Sequence, residues 1–258
     1  MKATWMAGNF GKIADFNRQG AEEFVSRLNL KPGMKVLDIA CGTGNQAIPA
    51  ARTGAAVTGL DLAPNLLEQA KARAAEEKLS LELIEGDAEE LPFPDESFDI
   101  VYSMFGAMFA PRPERVAAEM KRVCKPGGLI AMGNWTPESL PGQMFRASAK
   151  YAPPPPGVQP PVLWGVDQVV RERFGQGVQV ETGKQINYGD FGDLSPKESV
   201  AVFRDFFGPV KMTFARLDPE AQHHFIADME RLFTEHNVKQ HGTAHRMEFL
   251  EVHARKVA

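Results

Sequence analysis

The residues best suited to chemistry begin in the stretch DIACGTGNQA, positions 38–47, where an acid closes an apolar run and two glycines follow. Gly42 and Gly44 carry no Cβ to hold a ligand away, and Gly44 leads into a helix whose first N–H groups are unpaired and partially positive. An anionic or polar group can approach closely there. Asp61 ends the second apolar run, seventeen residues past Gly44, where a carboxylate could accept both hydroxyls of a ribose. Asp87, in Glu85-Gly86-Asp87-Ala88, closes a third run. Its carboxylate could accept an amino hydrogen of adenine while the next backbone N–H donates to the ring. Helix N-capping and turn formation are the competing uses of Asp61 and Asp87.

Taken alone, the loop admits two cofactors. Gly42-x-Gly44-x-x-Ala47 satisfies the dinucleotide pattern G-x-G-x-x-G/A. A short-chain dehydrogenase would add Tyr-x-x-x-Lys, yet Tyr102, Tyr151 and Tyr188 are followed four positions on by Gly106, Pro155 and Gly192. Other nicotinamide-dependent oxidoreductases stay open at this point, as does a non-catalytic module with the same grip.

These groups need elements to position them. From Met34 to about Trp135 short apolar runs alternate with longer amphipathic ones, the pattern of an α/β fold with a parallel sheet and crossover helices. Strands are expected at 36–40, 55–61, 79–85, 98–104 and 128–135, each rich in β-branched or large apolar residues. Helical spacing marks Gly44–Thr53, Pro64–Glu77 and Arg115–Cys124, the last ended by the turn Lys125-Pro126-Gly127-Gly128. The glycine loop, Asp61 and Asp87 then fall at three successive strand ends, the ligand-binding edge of an open sheet. Ahead of this block, Phe10–Leu28 predicts a helix lying on the sheet or over its rim. Leu140 to Gly165 holds seven of the nineteen prolines, four of them consecutive at Pro153–Pro156, and reads as an extended, stiff connector or lid. The remainder reads helix at 166–174, strand at 178–189, helices at 196–207 and 218–237, and a closing strand at 246–256.

In this order, VLDIACGTG, GLD, EGDAEELPFPDESFDIVYS and RVCKPGGLI resemble the successive motifs of the class I S-adenosylmethionine-dependent methyltransferases, in the branch that includes small-molecule and quinone methylating enzymes. The likeness covers roughly residues 33–135, and four motifs in sequence carry a specificity that a lone glycine loop lacks. It implies a Rossmann-like, doubly wound, mostly parallel sheet with helices on both faces, an antiparallel closing strand and an inserted lid segment. Residues 1–32 would be a helical cap, 33–137 with 166–258 the cofactor-binding domain, and 138–165 the lid. The implied cofactor is S-adenosylmethionine, with Asp38 and the loop at Ala40, Gly42 and Gly44 holding its methionine end. Asp61 would take the ribose, Leu62 one adenine face, Asp87 and Ala88 the adenine edge, and the backbone of Ser103 would face the sulfonium. Ala40 departs from the family, which commonly has glycine there.

Methyl transfer from a sulfonium is an in-line displacement, so such a protein has to align an acceptor, exclude water and, for some acceptors, remove a proton. The acceptor is expected to be a small apolar or aromatic molecule. Met104-Phe105-Gly106-Ala107-Met108-Phe109 offers a wall for it, core packing being the other use of such a run. Trp5, Asn9 and Phe10 could close over it from the amino terminus, and Trp135, Tyr151 and Trp164 flank the prolines. No catalytic residue is identified: all six histidines fall in the last thirty-six residues, and nothing singles out His223 or His224 as a base. His241 and His245 have i, i+4 spacing, but Gly242 intervenes and the H-E-x-x-H glutamate is absent, so surface or turn positions are expected and a metal is not.

With 258 residues and 43% hydrophobic content the chain can bury a substantial core. A net charge of -4 and a pI near 5.9 supply no basic stripe, so nucleic acid is not an expected partner. The start MKATWMAGNFGK has no secretory apolar core, and the longest apolar run, Ile100 to Ala110, is about half of a membrane span, so neither export nor membrane insertion is expected. Cys41 and Cys124 are too few for a disulfide framework and fit a reducing cytoplasm.

Overall fold

The central strands are apolar on both faces because helices cover both sides of the sheet. In the computed structural model, which describes residues 1–257, three short helices come first: α1 (Lys2–Met6), α2 (Phe10–Ala14) and α3 (Arg18–Arg27). Alternation follows, with β1 (Lys35–Ile39), α4 (Ala47–Arg52), β2 (Ala56–Asp61), α5 (Pro64–Glu76), β3 (Glu82–Glu85), β4 (Phe98–Met104), α6 (Pro113–Val123) and β5 (Cys124–Trp135). The rest of the chain adds α7 (Leu140–Tyr151), α8 (Asp167–Phe174), β6 (Val178–Asp190), α9 (Pro196–Phe206), α10 (Gly208–Phe214), α11 (Pro219–Glu235) and β7 (Ala244–Lys256).

The seven strands form one sheet in the order β3-β2-β1-β4-β5-β7-β6. β1 to β5 run parallel, with Val36 opposite both Val57 and Ile100, whereas β7 runs antiparallel to β5 and β6, with Ala254 opposite Ile130 and Val180. The order reverses between β1 and β4, which opens a crevice outside the carboxyl ends of the strands. Because β7 is antiparallel, its beginning lies at that same edge. The sheet is therefore Rossmann-like and doubly wound, with an antiparallel closing strand. No helix among the described residues is long and apolar enough to cross a membrane.

Several boundaries differ from the sequence expectation for identifiable reasons. The helix expected over Phe10–Leu28 is interrupted by a 3-10 turn at Asp15–Asn17. The helix expected from Gly44 begins at Ala47, since Gly44 sits at φ +82° and the chain turns through Gln46 before winding. β5 starts at Cys124, inside the expected helix, and the Lys125–Gly128 turn is accommodated as a register shift against β4 between Phe98 and Ile100. The helix expected at 196–207 is followed by a separate α10. The proline-rich segment is extended only from about residue 152 to 160. Before it, Ser139 caps α7 by accepting from the Gly142 N–H at 3.3 Å, and Pro141 is tolerated in the first turn. α7 packs on α11 and β7, so residues 138–151 belong to the body of the fold.

Candidate functional site

The loop after β1 turns sharply because Ala40, Gly42 and Gly44 all have positive φ, at +56°, +54° and +82°. Ala40 is the strained member, since an L-residue with a Cβ costs about 1 kcal/mol or more in this region. Its position at the turn explains why glycine suits it. Asp61, at the end of β2, locks the loop from below: its Oδ2 accepts from the Gly42 N–H and its Oδ1 from the Ala63 N–H, each at 2.8 Å. The carboxylate is mostly buried, which raises its pKa, and backbone N–H groups, those of Ala63 and Gly42 foremost, oppose that rise. Two of about four acceptor positions on the carboxylate are thereby used. Asp87 likewise holds its own turn, accepting from the Glu89 N–H at 2.9 Å through Oδ1. Turn formation and ligand contact are thus compatible uses of both acids.

Outside the loop, Arg73 donates to the Thr43 carbonyl at 2.6 Å and to Asn45 Oδ1 at 2.8 Å, while Asn45 Nδ2 donates to the Ala14 carbonyl at 2.8 Å. These bonds fix the loop against α5 and the amino-terminal helices. Ser103 clamps the end of β4 to β1, its hydroxyl donating to the Ile39 carbonyl at 2.7 Å and accepting from the Ala107 N–H at 2.9 Å. The next turn brings Phe105 to φ +59°, and at Gly106 a Cβ would lie 2.6 Å from Ala40 Cβ and 2.8 Å from its carbonyl oxygen. Only glycine lets these two strand ends meet so closely.

A cavity of about 630 Å³ opens at this edge. Of the residues singled out in the sequence, Ala40, Gly42, Asp61, Leu62, Asp87 and Ala88 line it together. Asp38, Gly44 and Ser103 lie one layer back. Asp38 is fully buried, and burial, then the Asp61 charge, pushes its pKa well up against the lowering effect of the Ala47 N–H. Gly44 faces Ile48 and Ala70, and the Ser103 hydroxyl is committed to its clamp. The loop also contributes Cys41, Thr43 and Gln46 to the wall, none of which the glycine pattern points to.

Beyond β4 the wall becomes aromatic. Phe105 stacks on Trp135 with centroids 3.5 Å apart and planes at 9°, and Trp5 meets the edges of Phe10, Phe109 and Phe207 at 5.1 to 6.0 Å. Met104 to Ala107 and Phe109 line the cavity, whereas Met108 turns into the core. α7 supplies Met144 and Phe145, and the extended stretch supplies Pro156 to Val158. Asn9, Tyr151 and Trp164 do not reach it: Tyr151 donates to Asp228 at 3.0 Å, and Trp164 is buried against Phe174 under the Arg173 guanidinium, 4.6 Å from the ring centroid. The histidines separate as well. His223, His224 and His241 are exposed, but His245 is fully buried at the cavity wall, contrary to the surface or turn position expected for it.

A family model described as a methyltransferase domain matches residues 37–132. An uncharacterised protein of Mycobacterium tuberculosis, Rv1405c, is 36% identical over 239 residues, covering 91% of this chain and 85% of that one. The chain belongs to the class I S-adenosylmethionine-dependent methyltransferases. This methyltransferase is also similar to the demethylmenaquinone methyltransferase of Listeria monocytogenes, at 39% identity over 139 residues, 52% of this chain and 59% of that one. The solved YcgJ protein of Bacillus subtilis shares its fold, with a TM-score of 0.62 at 18% identity over 93% of this chain and 99% of the other.

The residues present suit the methyltransferase's cofactor, S-adenosylmethionine. Asp61 keeps free acceptor positions at the wall, the Ala88 N–H has no partner among the described residues, and Leu62 and Leu66 supply apolar surface between them. That donor and acceptor set is the complement of a nucleoside with ribose hydroxyls and an adenine edge.

Proposed function

We propose that this methyltransferase acts on a small, largely apolar, aromatic acceptor held beside the cofactor in the same cavity. The observation that carries this reading is the continuity of the cavity, which joins the Asp61 and Asp87 wall to a wall of Trp5, Phe10, Phe105, Phe109, Trp135 and Phe207. The likeness to an enzyme whose name gives a quinone precursor as its substrate supports an aromatic acceptor.

Asp61 would accept from the ribose hydroxyls, Asp87 and the Ala88 N–H would take the adenine edge, and Leu62 would cover one ring face. Gln46 and the backbone around Ala40 to Gly42 would receive the methionine end, with Asp38 acting from beneath the loop. When bound, S-adenosylmethionine supplies an electrophilic methyl group on a sulfonium. The chain's own contribution is alignment and exclusion of water: stacked Phe105 and Trp135 present flat faces that orient a ring, and Trp5 with Phe10 closes the cavity from the amino terminus. α1 is tied across the mouth by the ion pair of Lys2 with Glu85.

Calorimetry with S-adenosylhomocysteine and with a nicotinamide dinucleotide tests the cofactor assignment, and turnover on a panel of phenols and quinols tests the acceptor class. Binding of the dinucleotide alone overturns the reading. Methylation confined to charged, non-aromatic acceptors overturns the acceptor class.

A further inference from the structure

His245 stands at the far end of the cavity from the glycine loop. It lies on the same face of β7 as Met247, and both line the cavity with Phe191, Phe203 and Phe233. The imidazole is wedged between Phe191 and Phe233, with centroids 5.7 and 4.9 Å away. Its Nε2 is 3.0 Å from the Phe233 carbonyl oxygen. A carbonyl only accepts, so Nε2 carries the proton and donates, which leaves a lone pair on Nδ1. Nδ1 is buried and has no partner among the described residues. Burial lowers the ring's pKa, opposed by the Phe233 carbonyl and reinforced by His236, so the imidazole is neutral near pH 7.

A buried acceptor without a donor is destabilising, a cost that the surrounding phenylalanines show this packing could avoid. The other polar side chain at this end is committed: Asn17 accepts from Asn187 Nδ2 at 2.6 Å and donates to the Ile13 carbonyl. Position gives the scale. Phe249 on β7 lies opposite Trp135 on β5, and His245 is four residues further along β7, so at about 3.3 Å per residue and about 4.8 Å for the one strand spacing between them it is roughly 14 Å from the Phe105–Trp135 stack.

Resting on the acceptor reading above, we propose that His245 is a specificity residue: its Nδ1 accepts a hydrogen bond from a hydroxyl or N–H at the end of the aromatic acceptor remote from the methylated atom. The acceptor is then a donor-bearing aromatic molecule that reaches from the Phe105–Trp135 stack toward the β7 end of the cavity.

The pair 4-hydroxybiphenyl and 4-methoxybiphenyl shares its rings and its oxygen, the second having a methyl group in place of the donor hydrogen. With S-adenosylhomocysteine bound, calorimetry should show about tenfold tighter binding of the hydroxyl probe to the wild type. His245→Phe should remove that preference while keeping the affinity for the methoxy probe, and His245→Asn, which still offers an acceptor oxygen, should restore part of it. In the unmutated protein, the ¹⁵N resonance of His245 Nδ1 should move upfield with the hydroxyl probe and stay in place with the methoxy one. Equal affinities in the wild type, binding of neither probe, or a preference that survives in His245→Phe overturns the proposal. Failure of the wild type to bind S-adenosylhomocysteine overturns instead the methyltransferase reading beneath it.

Discussion

The two ends of the cavity are built on different logic. At the cofactor end, the wall comes from one stretch of about fifty residues, 40 to 89, and its acids first hold their own turns: Asp61 that of Gly42 and Ala63, Asp87 that of Glu89. At the acceptor end, the wall is gathered from α1, β4, β5, α7, α9, α11 and β7, and its aromatics first pack on one another. A grip made by local turns is a motif, whereas a pocket made by long-range packing has no motif. The two ends should therefore answer differently to mutation, in ligand affinity at one and in stability at the other.

The largest effects fall on packing. Trp135→Ala removes a buried indole stacked on Phe105 and should cost about 3 to 5 kcal/mol in a denaturation experiment, while S-adenosylhomocysteine affinity changes less than about threefold. An equal loss of cofactor affinity would break the division between the ends. Trp164→Ala is the control: the side chain is buried but off the cavity, so a stability loss of similar size, about 3 to 5 kcal/mol, should leave cofactor and acceptor affinities alike unchanged.

Asp61→Ala should invert the pattern. S-adenosylhomocysteine binding should weaken by about 1 to 3 kcal/mol, roughly 5- to 150-fold, as charged hydrogen bonds disappear. Calorimetry on the wild type and the variant checks it, and unchanged affinity would sink the assignment of the ribose to this residue.

The same contrast explains what could be read in the sequence. β1, β2 and β4 are buried on both faces and appear as continuous apolar runs, so each is visible within a residue or so, together with Asp38 in the first and Asp61 at the end of the second. α7 is obscured by Pro141 and by the prolines that follow it, although Leu140, Met144 and Ala147 repeat at helical spacing behind a Ser139 cap. His245 was obscured by the wrong period. Paired with His241 it suggests a helix, but the period of a strand aligns it with Met247 and Phe249 on a buried face. Which aromatics meet across the sheet edge depends on contacts between residues as distant as Trp5 and Phe207, and no local pattern encodes those.

Asp38 belongs to neither end, lying beneath the loop, and pH tests its role. Burial, then the Asp61 charge, raises its pKa, so the folded protein holds this proton more tightly than the unfolded chain does. Its contribution to stability is complete below the unfolded value of about 3.9 and is lost as the pH rises through the folded value. Asp38→Asn keeps the shape without the charge. The variant should match the wild type near pH 3.5 and exceed it in stability at pH 8, with the gap widening between. A gap that is flat from pH 3.5 to 8 would mean that folding leaves the pKa of Asp38 unchanged.

Ala40→Gly should have the smallest effect, and its sign depends on two opposing terms. Alanine at φ +56° costs about 1 to 2 kcal/mol, which glycine would relieve. Glycine also gives the unfolded chain more freedom, which removes about 0.5 to 1 kcal/mol. The net is a gain of about 0.5 kcal/mol, measurable as a small rise in the denaturation midpoint. The double variant sharpens it, because a Cβ at Gly106 would meet both the Cβ and the carbonyl oxygen of Ala40. Ala40→Gly removes the first clash and leaves the second at 2.8 Å, so Gly106→Ala should remain destabilising in that background, by less than in the wild type. Full rescue would show that the side chain, not the backbone, sets how closely β1 and β4 approach at the seam between the two ends.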